Sequence, residues 1–166
     1  EGSTQLVTNE GTATLSDGFL KTYKLDYEEF KKIYKIEKVE LESSLDEHII
    51  PADYIYAKNN EKKDRNKDTV ILVHGLGGNR VTTYPVAQIF LDEGYNVIAY
   101  DQRSSGDNTA KYTTFGYWES EDLKDYIESI KRSEDRKSGY GTVVMIKLGK
   151  SDDGLILELK CDLYQN

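Results

Sequence analysis

The feature that most constrains this chain is the stretch "TVILVHGLGGNR", residues 69–80. Thr69 to Val73 is an apolar, β-branched-rich run with no alternation. A strand with one wet face alternates, whereas an unbroken run of this kind suits a strand covered on both faces of a parallel sheet. The run ends abruptly at His74-Gly75 and opens into a turn with further glycines at 77 and 78. In an open α/β sheet, sites form outside the carboxyl ends of the strands. Glycines there let the backbone approach a ligand and leave N–H groups free to face it, and two such groups can stabilise an oxyanion. A plain tight turn has the same local appearance.

The elements around this run fit a sheet with crossovers. Residues 82–93 read as a helix, with Pro85 near its start, Val86, Ile89 and Phe90 on one face, and Gly94 as its C-terminal cap. "YNVIAYD", 95–101, is a second buried strand, and "DQRSSGDN" is a loop. Residues 117–131 read as a helix with Leu123, Tyr126, Ile127 and Ile130 on one face, and "TVVMIKL", 142–148, is a third strand. The order strand, helix, strand, loop, helix, strand argues for an α/β fold with a mostly parallel sheet. Upstream, 26–34 reads as a short helix with Phe30, Ile33 and Tyr34 on one face. The strands expected within 36–56 have no helix between them and suit an antiparallel hairpin at one edge, with Pro51 pointing to an edge position or a bulge.

Composition narrows the functional classes. Hydrophobic residues make up 37% and charged residues 31% of the 166, as in a soluble globular chain. No apolar run approaches the roughly 20 residues of a membrane span. The net charge of −8 disfavours nucleic-acid binding, because such a surface repels phosphate backbones. The single cysteine, Cys161, excludes an intrachain disulfide. His48 and His74 are too far apart in sequence for a helical metal site, and no Cys or acidic cluster completes a metal set, so no cofactor is expected. Residues 1–25 read as a polar extension and 26–166 as one domain. The polar start without Met suits a spacer after a removed leader or anchor, which leans towards a membrane-anchored or exported parent; an arbitrary chain boundary looks the same.

A phosphate-binding reading fails on detail, since "GLGGNR" gives neither GxxxxGK[ST] nor GxGxxG. His74 as a general base would need a nucleophile beside it and an acid behind it. A structural, hydrogen-bonded role that shapes the loop is the expectation.

Three motifs in order, "VILVHGLGGNR", "GYNVIAYDQRSSGDN" and "YTTFGYWESEDLKDYI", resemble the α/β-hydrolases, in particular the bacterial serine hydrolases described as lipases, esterases or aminopeptidases. The resemblance runs from about residue 26 to 131, the N-terminal half of that fold. It implies an eight-stranded sheet. It also makes "HGLGG", His74 to Gly78, the oxyanion-hole loop, with Leu76 donating one backbone N–H. Asp101, Arg103, Phe115, Gly116, Glu119 and Asp122 match positions that shape the active-site floor, and a structural role is expected for them.

The same resemblance calls for a G-x-S-x-G nucleophile elbow on a strand-to-helix turn. Gly149-Lys150-Ser151 matches its first half, which makes Ser151 the candidate nucleophile and the Asp152 N–H the candidate second oxyanion donor. Asp153 stands where the last glycine belongs, and its charge and bulk oppose catalysis. The stretch reads equally as two strands about a polar Asp-Gly turn, and residues 155–163 are also compatible with a helix. In the hydrolase order an acid and a histidine follow the serine. No histidine follows Ser151 in these 166 residues. The function expected is thus a serine hydrolase of acyl esters, amides or short peptides with an incomplete triad in this chain. The alternative is a non-catalytic, truncated hydrolase-like module that folds or oligomerises without turnover. The strand at 69–73 is expected between those at 95–100 and 142–148. The outer edge of the last would be covered antiparallel by 155–160 or by a second copy.

Overall fold

The structure, a computed structural model, describes residues 18, 20–65, 67–131, 143–151 and 154–162, with side chains to residue 130. Helix α1 (Tyr27–Ile33) starts at Asp26, whose carboxylate accepts the Glu28 and Glu29 N–H groups at 2.9 and 3.0 Å. Strands β1 (Ile36–Glu42) and β2 (Ile49–Ile55) form the expected antiparallel hairpin. β3 (Thr69–Val73) leads through the glycine turn into a 3₁₀ turn (Arg80–Thr83) and helix α2 (Tyr84–Asp92). β4 (Asn96–Tyr100), α3 (Tyr117–Lys131), β5 (Val143–Ser151) and β6 (Gly154–Asp162) follow.

The main sheet has four strands in the order β1-β2-β4-β3. Only β3 and β4 run parallel, so the sheet is mixed rather than mostly parallel, and among the described residues it holds four strands, part of the eight that the resemblance implies for the full fold. The reason is connectivity. A helix crosses over between β3 and β4, whereas β1 and β2 share a short loop that permits only antiparallel pairing. β3 was expected inside one ladder between β4 and β5. Instead β5 packs alongside β3 and makes its ladder with β6, in a separate two-stranded sheet. The covering of β5 by residues 155–160 in antiparallel sense is as expected, and 155–162 is strand, not helix.

Pro51 does not lie on an edge, because β2 is flanked by both β1 and β4. Its carbonyl accepts from the Asp101 N–H at 2.9 Å, beyond the last residue of β4. Nitrogen and carbonyl of one strand residue point to the same side, so the missing donor faces the point where β4 has already ended.

The alternation along β3 and β4 sorts two cores. Val70, Leu72, Val97 and Ala99 face α1 and α2, where Phe30, Tyr34, Tyr84, Ala87 and Leu91 are buried. Ile71, Ile98 and Tyr100 face α3, with Tyr126 buried and Leu123, Ile127 and Ile130 packed at the margin. The α3 stripe is as expected. The α2 stripe is so in part: Val86 and Phe90 pack against the first core, but Ile89 is 59% exposed, and the buried residues of the helix are Tyr84, Ala87 and Leu91. Leu20 is also buried in the first core, so the folded unit reaches into the stretch read as a polar extension.

Candidate active site

The turn after β3 is built from its own backbone. The Gly78 N–H donates to the Gly75 carbonyl at 3.0 Å, and Gly77 has φ +79°. A positive φ at the third residue of a four-residue turn favours glycine. Gly78 is required by space instead, because a Cβ there would sit 2.7 Å from Thr82 Oγ1. Gly75 has nothing within 4 Å of its Cβ position. Leu76 at the crest is 70% exposed, and no acceptor among the described residues takes its N–H.

His74 pins this turn to the end of β4. Its Nε2 accepts the Gln102 backbone N–H at 3.0 Å, and its Nδ1 donates to the Gly75 carbonyl at 2.8 Å. An accepting Nε2 and a donating Nδ1 define the neutral imidazole with its proton on Nδ1. The Gln102 side chain also donates to the His74 carbonyl. Burial lowers the His74 pKa, against smaller opposing effects of the Gly75 carbonyl and Asp101. Both ring nitrogens are engaged, so the structural role expected of His74 matches its geometry.

A charged network fixes the loop from below. Asp101, fully buried, accepts the Arg80 backbone N–H at 2.7 Å, the Asp107 N–H at 2.9 Å and the Arg80 guanidinium. Arg80 also donates to Asp53 at 3.0 Å and Asp107 at 2.6 Å, and the Tyr84 hydroxyl donates to Asp53 at 2.5 Å. Burial works against the guanidinium charge, yet Asp101, Asp53 and Asp107 hold the Arg80 pKa above its ordinary value. Asn79 caps the 3₁₀ turn by accepting from the Val81 and Thr82 N–H groups, and its own N–H donates to Thr82 Oγ1.

A second network ties the loop after β4 to α3 and to the β1–β2 connection. Buried Arg103 donates to Asp122 at 2.8 and 2.9 Å, to Asp46 at 2.7 and 3.1 Å and to Ser43 at 3.2 Å. It also lies over Trp118 at 5.1 Å. Arg103 lowers the Asp46 pKa. His48 bonds Asp46 at 2.6 Å. Glu119 gathers the Thr113 and Thr114 hydroxyls and the Thr114 and Gly116 N–H groups at 2.6 to 2.9 Å. Burial alone would raise its pKa, but these donors hold it down at about 2. They also fix Phe115, 71% exposed, at φ +53°. Asp101, Arg103, Glu119 and Asp122 are therefore buried and fully engaged.

The second half of the candidate site has a different form. Ser151 closes β5 in register with Gly154 of β6, a hairpin rather than a strand-to-helix elbow. A two-residue connection between antiparallel strands leaves no helix to follow the serine. Asp152 and Asp153 lie outside the described residues. Among the described residues no three His, Cys, Asp or Glu side chains converge as a metal site, and no helix is long and apolar enough to cross a membrane.

Sequence reasoning missed Gln102 as the partner of His74 and Asp53 as a partner of Arg80. Neither has a local signal, since both pairings cross between elements. The Asn79 cap did have one, in Asn79 with Thr82 three residues later.

No known protein-family profile matches the chain. It is 31% identical over 74 residues to the uncharacterised protein YqkD of Bacillus subtilis (strain 168), which covers 45% of this chain and 24% of YqkD. Among solved structures it is similar to the Pyrococcus furiosus esterase Pf2001, with TM-score 0.59, 29% identity, and coverage of 73% of this chain and 45% of the esterase. The fold is also that of a 2,6-dihydroxy-pseudo-oxynicotine hydrolase, with TM-score 0.53, 15% identity, and coverage of 66% and 29% of the two chains. The chain spans less than half the length of the esterase and about a quarter of YqkD. Over these residues the chain is similar to α/β-hydrolases of the esterase type, and its extent is consistent with an N-terminal half of that fold.

Proposed function

We propose that this chain supplies the oxyanion-loop half of a serine-dependent hydrolase of acyl esters, amides or short peptides. The observation that carries the reading is the Leu76 N–H, without an acceptor among the described residues, at the crest of a turn held by His74, Gln102, Arg80 and Asp101. A donor held in place costs no reorganisation when an acyl carbonyl oxygen becomes negative, and one such donor is worth roughly 10²–10³ in rate. In this reading Ser151 Oγ attacks the carbonyl carbon, and its proton passes to a histidine. The N–H groups of Leu76 and Asp152 bind the oxyanion. Neither histidine of these 166 residues suits that role, because His74 is engaged at both nitrogens and His48 is bonded to Asp46.

The alternative, a hydrolase-like module without turnover, is favoured by one observation: Ser151 sits opposite Gly154 in a hairpin. Reaction of the purified chain with a fluorophosphonate probe, followed by mapping of the adduct, separates the two. Labelling at Ser151 that disappears in Ser151→Ala supports the hydrolase reading. No adduct, together with no hydrolysis of p-nitrophenyl esters, rejects catalysis for this chain and leaves the module.

A further inference from the structure

β6 is a nine-residue strand, and among the described residues it pairs only with β5. Among the described residues no strand covers its other edge, which is a template for pairing with another strand. Edges of this kind are usually blunted by Pro, a bulge or clustered charge. Both prolines of this chain lie elsewhere, at 51 and 85, and the β5–β6 register runs without interruption from Val143↔Asp162 to Ser151↔Gly154. The segment "GLILELKCD" holds one Lys against one Glu and one Asp, so it is nearly neutral within a chain of net charge −8.

The order of those charges selects an occupant. We propose that β6 pairs antiparallel with β6 of a second copy, about a two-fold axis at Leu159, to give a continuous β5-β6-β6-β5 sheet. In that register Glu158 stands opposite Lys160 of the second copy, and Lys160 stands opposite Glu158 of the second copy. Directly opposed residues of an antiparallel pair share a face and are close enough for opposite charges to stabilise and like charges to repel. A lone edge lysine would resist self-pairing, but Glu and Lys two positions apart complement themselves under a two-fold axis. The contact is isologous and uses the same edge of both copies, so it closes at a dimer. This inference is independent of whether the chain turns over a substrate.

Charge exchange tests it. In light scattering after size exclusion the full chain should have twice its 19.0 kDa. Glu158→Lys places two lysines opposite two lysines, and Lys160→Glu places two glutamates opposite two glutamates. Each should weaken dimerisation on the order of tenfold or more. An equimolar mixture of the two variants should form a heterodimer, since both pairs are again opposite in sign, and the double variant should regain the homodimer. Leu159→Cys in a Cys161→Ser background reads the same register without changing charge. Opposed Cα atoms about 4.5–5.5 Å apart are within disulfide range, so it should cross-link to a second copy. Leu155→Cys in that background should not, because its partner position is 163. A monomeric wild type, larger assemblies, single variants as dimeric as wild type, or absence of the Leu159→Cys cross-link would each overturn the proposal.

Discussion

Gly106→Ala tests whether the Asp101 carboxylate is the fixed point beneath the glycine turn. Gly106 has φ +54°, and a Cβ there would lie 2.3 Å from Asp101 Oδ2, 2.4 Å from Cγ and 2.6 Å from Oδ1. A flexible acid would move aside. This one is held by the Arg80 and Asp107 backbone N–H groups and the Arg80 guanidinium. The left-handed backbone costs an alanine about 1–2 kcal/mol. Displacing a buried carboxylate from its cation costs about 3–5 kcal/mol more, for a total of about 4–7 kcal/mol. Gly94→Ala is the internal control: its φ is +95°, but nothing lies within 4 Å of the new Cβ, so only the backbone cost of about 1–2 kcal/mol remains. The assay is urea unfolding followed by the fluorescence of Trp118, the one tryptophan in the chain, with far-UV circular dichroism alongside. If Gly106→Ala costs no more than Gly94→Ala, Asp101 is not held as described and the argument for a preorganised loop fails.

Three further outcomes follow from the same networks. Within the turn, Gly78→Ala should cost more than about 1 kcal/mol through its clash with Thr82, whereas Gly75→Ala should change stability by less than about 0.5 kcal/mol; equilibrium unfolding ranks the two. Asn79→Ala removes the cap of the 3₁₀ turn and should lower stability by about 1 kcal/mol, seen as a fall in Tm. Glu119 has a folded pKa of about 2 against an ordinary 4.5, so its stabilisation is complete above about pH 4.5 and is lost as the pH falls towards 2. Glu119→Gln should therefore be less stable than wild type at pH 7, and the gap should narrow on acidification; a gap that does not change with pH would show that the carboxylate charge is not what its donors hold.

Much of this architecture was legible in the sequence. The unbroken run Thr69–Val73 is a strand with both faces covered, and the helix at 117–131 and the hairpin upstream of β3 are present. Local periodicity and turn chemistry report directly on such elements. They report poorly on which neighbour a strand takes. Pro51 signals an edge or a bulge but sits in an inner strand, at a position where its neighbour β4 has already ended. The α2 face differs at Ile89, which is exposed, because the residues buried from this helix are Tyr84, Ala87 and Leu91, with Val86 and Phe90 beside them. In the site, the three glycines and His74 were visible, but the reasons for them differ. Gly77 is set by φ and Gly78 by space, and His74 is set by a backbone N–H contributed by Gln102. The last comes from the other side of a crossover and has no trace in the motif.

His74 pins the turn through both ring nitrogens, and in the proposed function the backbone N–H of that turn, not the imidazole, acts on the substrate. Nitrogen-15 NMR of the imidazoles tests this directly, since the chain has only His48 and His74 to resolve. The geometry predicts that His74 is neutral at pH 7 with its proton on Nδ1 and an unprotonated Nε2, and that it protonates below the ordinary histidine value. A His74 that protonates at or above the ordinary histidine value, or that carries its proton on Nε2, would contradict it and return the imidazole to consideration as a base.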